Sequence, residues 1–203
     1  MSTSLWNQYP RWQIHELEQN TVTIAQTLLG SLLLHRSKDG LVIARITETE
    51  AYGGTYQGLP DDASHAYRGQ TPRNAPMFAA PGIVYIYLIY GMHHCLNIVT
   101  EPPNTPAAVL IRAATIIHGE ELVRQRRPQV SAKHYSDGPG KLCQALGLTR
   151  LDNQRSLLSG HLQLRHAPLH DGEYIEPAVR QGIDYARHGK YFPWRFFLRH
   201  SQK

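Results

Sequence analysis

Two carboxylates, Glu48 and Glu50 in Glu48-Thr-Glu50-Ala-Tyr52, stand where a β-branched run gives way to a polar, glycine-rich stretch. A carboxylate at a strand end, next to an aromatic, can take a proton from a water held in a cleft. An exposed acid at a strand terminus is the plainer reading of the same residues. Residues two apart on a strand share a face, so spacing alone does not choose between the two acids. Tyrosine is the second signal. There are 11 Tyr against 4 Phe, and Tyr52, Tyr67, Tyr85, Tyr87 and Tyr90 gather around one loop and one hairpin. A phenol ring stacks on a planar base and keeps a polar end, although packing on a half-buried sheet accounts for it equally well. The hairpin tip, Tyr90-Gly-Met92-His-His94, carries bulky groups where apolar surface is wasted unless it enters something, such as a base stack.

Histidine is abundant, at 12 residues, but its spacing does not suit a metal centre. No His-Glu-x-x-His occurs, Pro168 breaks the helical geometry of His166 and His170, and His93 and His94 are adjacent and point apart. Neither a metal nor another cofactor is expected. His65, in Asp61-Asp-Ala-Ser-His65, is a pocket candidate, or a solvated loop residue. Gly138-Pro-Gly140-Lys141 resembles an anion cradle at a helix start. It lacks the P-loop pattern, so a backbone phosphate or a plain helix start remains open. Thr71-Pro-Arg73-Asn74 is a turn that can also meet a phosphate.

These residues need elements to carry them. Asn20 or Thr21 caps a helix running to Leu29, closed by Gly30. Strands are expected at 31–35 and 41–50 around a Lys38-Asp39-Gly40 turn. The segment 52–81 is too long for an idle connection. Residues 83–90 and 95–100 form a hairpin with Tyr85, Tyr87 and Ile89 on one face. A short strand at 108–112, helices at 118–127 and 141–146, and a last strand at 195–199 complete the pattern. Strands and helices do not alternate, which favours α+β: one compact domain over 1–203, with a mixed, mostly antiparallel curved sheet, flanking helices and a protruding β-hairpin. Residues 1–19, polar and weakly patterned, are expected to be a loosely ordered arm.

At 203 residues and 41% hydrophobic, the chain can bury a core without staples. Its net charge of +5 is uneven: residues 1–110 hold 6 Lys/Arg against 8 Asp/Glu, and residues 111–203 hold 15 against 8. A basic back half suits a polyanion. Cys95 and Cys143 fit no metal spacing and suggest packed thiols in a reducing compartment. No apolar run approaches the roughly 20 residues of a membrane span, and the N-terminus lacks the pattern of a secretory signal.

Taken together, the segments resemble the alkyladenine (3-methyladenine) DNA glycosylase family. The matching motifs are Glu48-Thr-Glu-Ala-Tyr52, Ser64-His-Ala66, Gln70-Thr-Pro-Arg-Asn74 and Tyr87-Leu-Ile-Tyr-Gly-Met92. Asn97, Val109-Leu-Ile-Arg112-Ala, Gly138-Pro-Gly-Lys-Leu-Cys-Gln-Ala-Leu146 and Arg195-Phe-Phe-Leu-Arg199 follow in the family's order. The match spans roughly residues 21–200.

The resemblance implies a monofunctional base-excision enzyme without lyase activity. It would act on alkylated or deaminated purines, the class of 3-methyladenine, 7-methylguanine, hypoxanthine and ethenoadenine, extruded from duplex DNA. Glu50 would be the general base for water, with Arg112 and the backbone carbonyl of Leu198 holding that water. Tyr52, His65 and Tyr87 would sandwich the base, and Asn97 would oppose the 2-amino group of guanine. Tyr90 and Met92 would enter the duplex, and Arg73, Gly138, Gly140 and Lys141 would meet its backbone. The stretch Gly53–Pro60, longer than the family's usual connection, is expected to reshape one pocket wall. The implied partner is double-stranded DNA, with no membrane, no obligate protein partner and a monomeric enzyme. The implied location is the cytoplasm and nucleoid of a prokaryote, or a eukaryotic nucleus. A module that binds damaged DNA without cutting it is the alternative, and the presence of Glu50 argues against that.

Overall fold

The computed structural model describes residues 5–201, folded around one strongly bent antiparallel sheet. Its strands are β1 (Leu32–Ser37), β2 (Gly40–Tyr52), β5 (Val84–Ile89), β6 (His93–Val99), β7 (Ala108–His118), β8 (Leu162–Arg165), β9 (Glu173–Ala178) and β10 (Arg195–His200). A two-stranded ribbon, β3 (Thr55–Tyr56) and β4 (Leu59–Pro60), stands apart. The helices are α1 (Ile14–Leu17), α2 (Thr21–Thr27), α3 (Glu120–Arg126) and α4 (Pro139–Leu146). The sheet order is β5-β6-β7-β2-β1-β8, with β10 also on β2 and β9 on β10. Every pairing among the described residues is antiparallel, so the α+β reading holds.

The long strand β2 organises the rest. Its first half pairs with β1 and its second half with β10, while β7 runs along the opposite edge. That change of partner requires a bend, and the β2–β7 register shifts around Glu48 supply one. The apolar face of the sheet packs on α2 and α4, with Leu33, Ile46, Leu96, Ile98, Ile111 and Leu142 fully covered. Asn20 is the cap of α2, its side chain accepting from the N–H groups of Val22 and Thr23.

Two expectations need correction. Residues 5–19 are not a loose arm. Trp12 is 2% exposed, stacks on His166 at 4.4 Å, and donates its indole N–H to Ser31. Arg11 bridges to Arg165, and Leu17 is buried. Residues 1–4 lie outside the described residues. Burial of one large aromatic and one leucine outweighs the segment's weak pattern. The strand expected at 108–112 continues to His118, because Thr115, Ile116 and His118 pair with β2. It ends at Gly119, whose φ of 81° and approach to the Leu41 carbonyl, 2.4 Å from where a Cβ would stand, admit only glycine. Helix α3 therefore starts at Glu120.

Candidate active site

The register of four strand pairs sets one row of side chains across the sheet. Tyr85 stands opposite Asn97, Asn97 opposite Leu110, Leu110 opposite Glu50, and Glu50 opposite Arg195. Directly opposed residues of antiparallel strands share a face, so a tyrosine, an amide and a carboxylate converge from distant parts of the chain. Over this row lies a cavity of about 380 Å³, within the roughly 300–1,000 Å³ range of ligand clefts. Tyr52, His65, Tyr85, Tyr87, Cys95 and Asn97 form its walls, with Arg73, Pro139 and Tyr90 towards its mouth.

Glu50 is 0% exposed and sits beneath this cavity, held by groups that line it. The Tyr52 hydroxyl donates to Oε2 at 2.8 Å, Arg112 Nη1 donates to the same oxygen at 3.1 Å, and the Gln181 N–H donates to Oε1 at 2.9 Å. Glu48 is no exposed strand-end acid either: it is largely covered and paired with two arginines. Its Oε1 accepts from Arg112 Nε at 2.8 Å and from Arg195 Nε at 2.6 Å. Burial works against the Arg112 charge, but Glu50 and Glu48 beside it raise its pKa above the ordinary value. Burial, then Glu50, pushes the Tyr52 phenol far up, which keeps its proton available to donate.

The rest of the wall is uncharged. Burial lifts Tyr85 to about 12, raises Tyr87 further, and raises the Cys95 thiol. His65 meets Tyr87 edge-on at 4.7 Å, and its Nδ1 lies 3.0 Å from the Tyr85 hydroxyl. Burial and the nearby Arg73 lower its pKa, so the ring is neutral at pH 7. The Asn74 amide donates to the His65 carbonyl at 2.7 Å and so holds the loop. Arg73 reaches the cavity mouth, its guanidinium 5.2 Å from the centre of the Tyr87 ring.

At the hairpin tip Tyr90 is 83% exposed with φ of 52°, and Met92 is 70% exposed. A left-handed backbone at a bulky residue costs roughly 1–2 kcal/mol, which marks the position as one that packing did not choose. Gly138 precedes α4, Pro139 touches the cavity, and Gly140 packs on His93 of the hairpin. Lys141 pairs with Asp137 at 2.8 Å.

Leu198 does not reach the site. The β10 residue opposite Glu50 is Arg195, and Leu198 lies three residues further, about 10 Å along the strand, paired with Ile175 of β9. The segment Gln181–Ile183 takes that place beside the carboxylate. Nor does the stretch 53–60 line the cavity. It forms the β3–β4 ribbon, with Tyr56 packed on Phe192 and Trp194.

Sequence reasoning missed the groups that hold the far wall. Arg180 and Asp61, fully buried, form a two-pronged pair at 2.6 and 2.8 Å. Arg180 also donates to the Ala51 and Gly189 carbonyls, and its guanidinium lies 4.6 Å from the Tyr52 ring centre. Asp62 accepts from the N–H groups of Arg187, His188 and Gly189. The adjacent acids Asp61-Asp62 in a polar loop were the one available signal, and nothing in it pointed to Arg180.

Comparison with known proteins places these features in a family. Residues 15–202 match the family model described as methylpurine-DNA glycosylase. A protein of Methanocella arvoryzae is 44% identical over 186 residues, covering 91% of this chain and 90% of its own. One of Desulfitobacterium hafniense is 40% identical over 193 residues, covering 91% and 93%. One of Bacillus cereus is 42% identical over 193 residues, covering 89% and 91%. Each carries the name "Putative 3-methyladenine DNA glycosylase".

Removing one partner of a buried ion pair leaves the other uncompensated, at a cost of roughly 3–5 kcal/mol. Asp61→Asn is therefore expected to destabilise the fold by about 3 kcal/mol in a urea titration. A loss below about 1 kcal/mol, the range of exposed pairs, would show that Arg180 does not depend on it.

Proposed function

Because the chain belongs to the methylpurine-DNA glycosylase family, we propose that it hydrolyses the N-glycosidic bond of alkylated or deaminated purines swung out of duplex DNA. Membership makes it a DNA glycosylase of base excision repair; the lesion class, the extrusion and the roles below are our reading. The observation that carries it is Glu50, a fully covered carboxylate held by three donors under a tyrosine-walled cavity.

The chemistry follows from the site. Departure of the base leaves the sugar with oxocarbenium character, which a nearby carboxylate stabilises. Oε2 of Glu50 already has two donors and Oε1 has one, so Oε1 is the oxygen assigned to the proton of the attacking water. Arg112 and Tyr52 hold the carboxylate in place. A purine alkylated at a ring nitrogen carries positive charge, which makes it the better leaving group. The faces of Tyr52 and Tyr87 attract it by about 0.5–2 kcal/mol per contact, while neutral His65 does not repel it. Asn97, in the cavity wall, is assigned to selection against neutral guanine through its 2-amino group, a penalty that the better leaving group of cationic 7-methylguanine offsets. No lysine lines the cavity among the described residues, which supports water over an amine as the nucleophile.

Tyr90, with Met92 beside it, is assigned to the gap left in the stack, where an exposed strained aromatic gains a partner. Arg73 and Pro139 line the cavity, Gly138, Gly140 and Lys141 flank Pro139 at the start of α4, and Arg73, Gly138, Gly140 and Lys141 are assigned to the DNA backbone. The Lys141–Asp137 pair is exposed, so exchanging it for a phosphate costs little. No helix among the described residues is long and apolar enough to cross a membrane.

Duplexes bearing 7-methylguanine or hypoxanthine test the reading. The expected products are free base and an abasic site, unchanged by a chelator, with no protein–DNA adduct trapped by borohydride. Binding of damaged duplex without base release would assign the chain to a non-catalytic module, and a trapped adduct would replace water with an amine.

The lowered pKa of His65 adds a pH signature. The ring stays neutral below the ordinary imidazole value of about 6.5 and gains its proton only at lower pH. Excision of cationic 7-methylguanine relative to hypoxanthine should then fall on going from pH 7.5 to pH 5, more steeply in wild type than in His65→Gln. Equal profiles for the two proteins would remove His65 from the account.

A further inference from the structure

We infer that His35, Asp152 and His161 form a binding site for a divalent transition-metal ion, with Zn2+ as the natural occupant. One donor atom from each residue lies within 4.8 Å of the other two. None of the three lines the cavity, so the site is separate from the base pocket. The residues come from three segments: His35 from β1, Asp152 from the 3-10 turn Arg150–Asp152, and His161 from the residue preceding β8.

The hydrogen bonds prepare these donors for a metal. His35 is buried, and its Nδ1 lies 2.7 Å from the Leu146 carbonyl at the end of α4. A carbonyl only accepts, so the proton is on Nδ1 and the Nε2 lone pair is free. Metal-binding histidines are typically oriented by such a bond from the other ring nitrogen. Asp152 is buried too. Its Oδ2 accepts from the Thr149 N–H at 3.0 Å, while its Oδ1 faces His161 Nε2 at 3.3 Å. The two imidazoles are tilted by 56° with centroids 5.4 Å apart, so they do not stack. His161 is one-third exposed, which supplies a path for entry and the freedom to close the last ångström.

The donor set selects the ion. Two imidazoles and one carboxylate suit Zn2+, Ni2+ or Cu2+ and do not suit Mg2+ or Ca2+, which take oxygen ligands. Three protein ligands leave a fourth position for water. Arg155, 3.7 Å from Asp152 Oδ1, opposes a cation and weakens its binding. The bound ion would pin the C-terminal end of α4 and the following turn to the β1–β8 edge, at the opposite end of α4 from Pro139 in the cavity wall.

The test uses the full chain without a histidine tag, dialysed against a chelator and titrated calorimetrically with ZnCl2. Wild type is expected to take up one ion, with melting raised by about 5 °C when free Zn2+ is about 100-fold above Kd. Co2+ should give a visible absorption band. His161→Gln and Asp152→Asn, each close in size to the residue it replaces, should each weaken binding about tenfold or more and so cut the melting shift at the same free Zn2+ by about half or more. Absence of saturable binding would overturn the proposal. Equal affinity in wild type and both variants would also overturn it, and would assign the ion to surface histidines such as His93 and His94.

Discussion

Burying the Glu50 carboxylate is the constraint from which the remaining architecture follows. A charge removed from water costs several kcal/mol unless opposite charge and hydrogen bonds replace the solvent. Here the replacement is Arg112, shared with Glu48, which is in turn shared with Arg195. Two acids from β2 thus lie between one guanidinium from β7 and one from β10. That arrangement exists only because β2 is flanked by both strands and is bent where it changes partners. The irregular register beside Glu48 is where the charge network and the curvature of the sheet meet.

Tyr52 links this network to a second one. Its hydroxyl holds Glu50, and its ring lies against Arg180, which is locked to Asp61. The loop that carries His65 and the segment that carries Gln181 are therefore fastened to the same tyrosine from behind. The two acid–arginine networks lie beneath and behind the cavity, Arg73 stands at its mouth, and its aromatic lining stays neutral. A flat cationic ring would meet π faces there, with Arg73 and Arg112 as the nearest guanidinium groups. Such a division of labour also explains the long stretch 53–60: it packs on Phe192 and Trp194 and leaves the cavity free.

Much of the site was legible because strand periodicity is local. Alternation alone put Tyr85 and Tyr87 on one face, and the place of Glu50 at the end of a β-branched run was visible in its neighbours. The choice between Glu48 and Glu50 was not legible, since it depends on which acid Tyr52 and Gln181 reach. Leu198 was misplaced because the register of β10 against β2 is a property of the pairing and of no single strand. Arg180 and Asp61 stand 119 positions apart and carry no motif. The order of residues 5–19 hinged on Trp12 finding a slot beside His166, again a long-range event. The extra length of β7 came from its partner strand, which overrode a local pattern that had suggested nothing beyond residue 112.

The account stands on Glu50 acting on the water, and the single-turnover rate of base release by Glu50→Gln measures that most directly. The substitution keeps the shape of the side chain and one acceptor oxygen, which can serve Tyr52 and Arg112 while the amide NH2 replaces the acceptor of the Gln181 N–H, so lesion-duplex affinity and melting temperature serve as controls. With both near wild type, the rate is expected to fall by about 10²–10⁴-fold, the usual worth of a positioned general base. A folded variant that still releases base within about threefold of wild type, below half a decade of barrier change, would contradict the central claim.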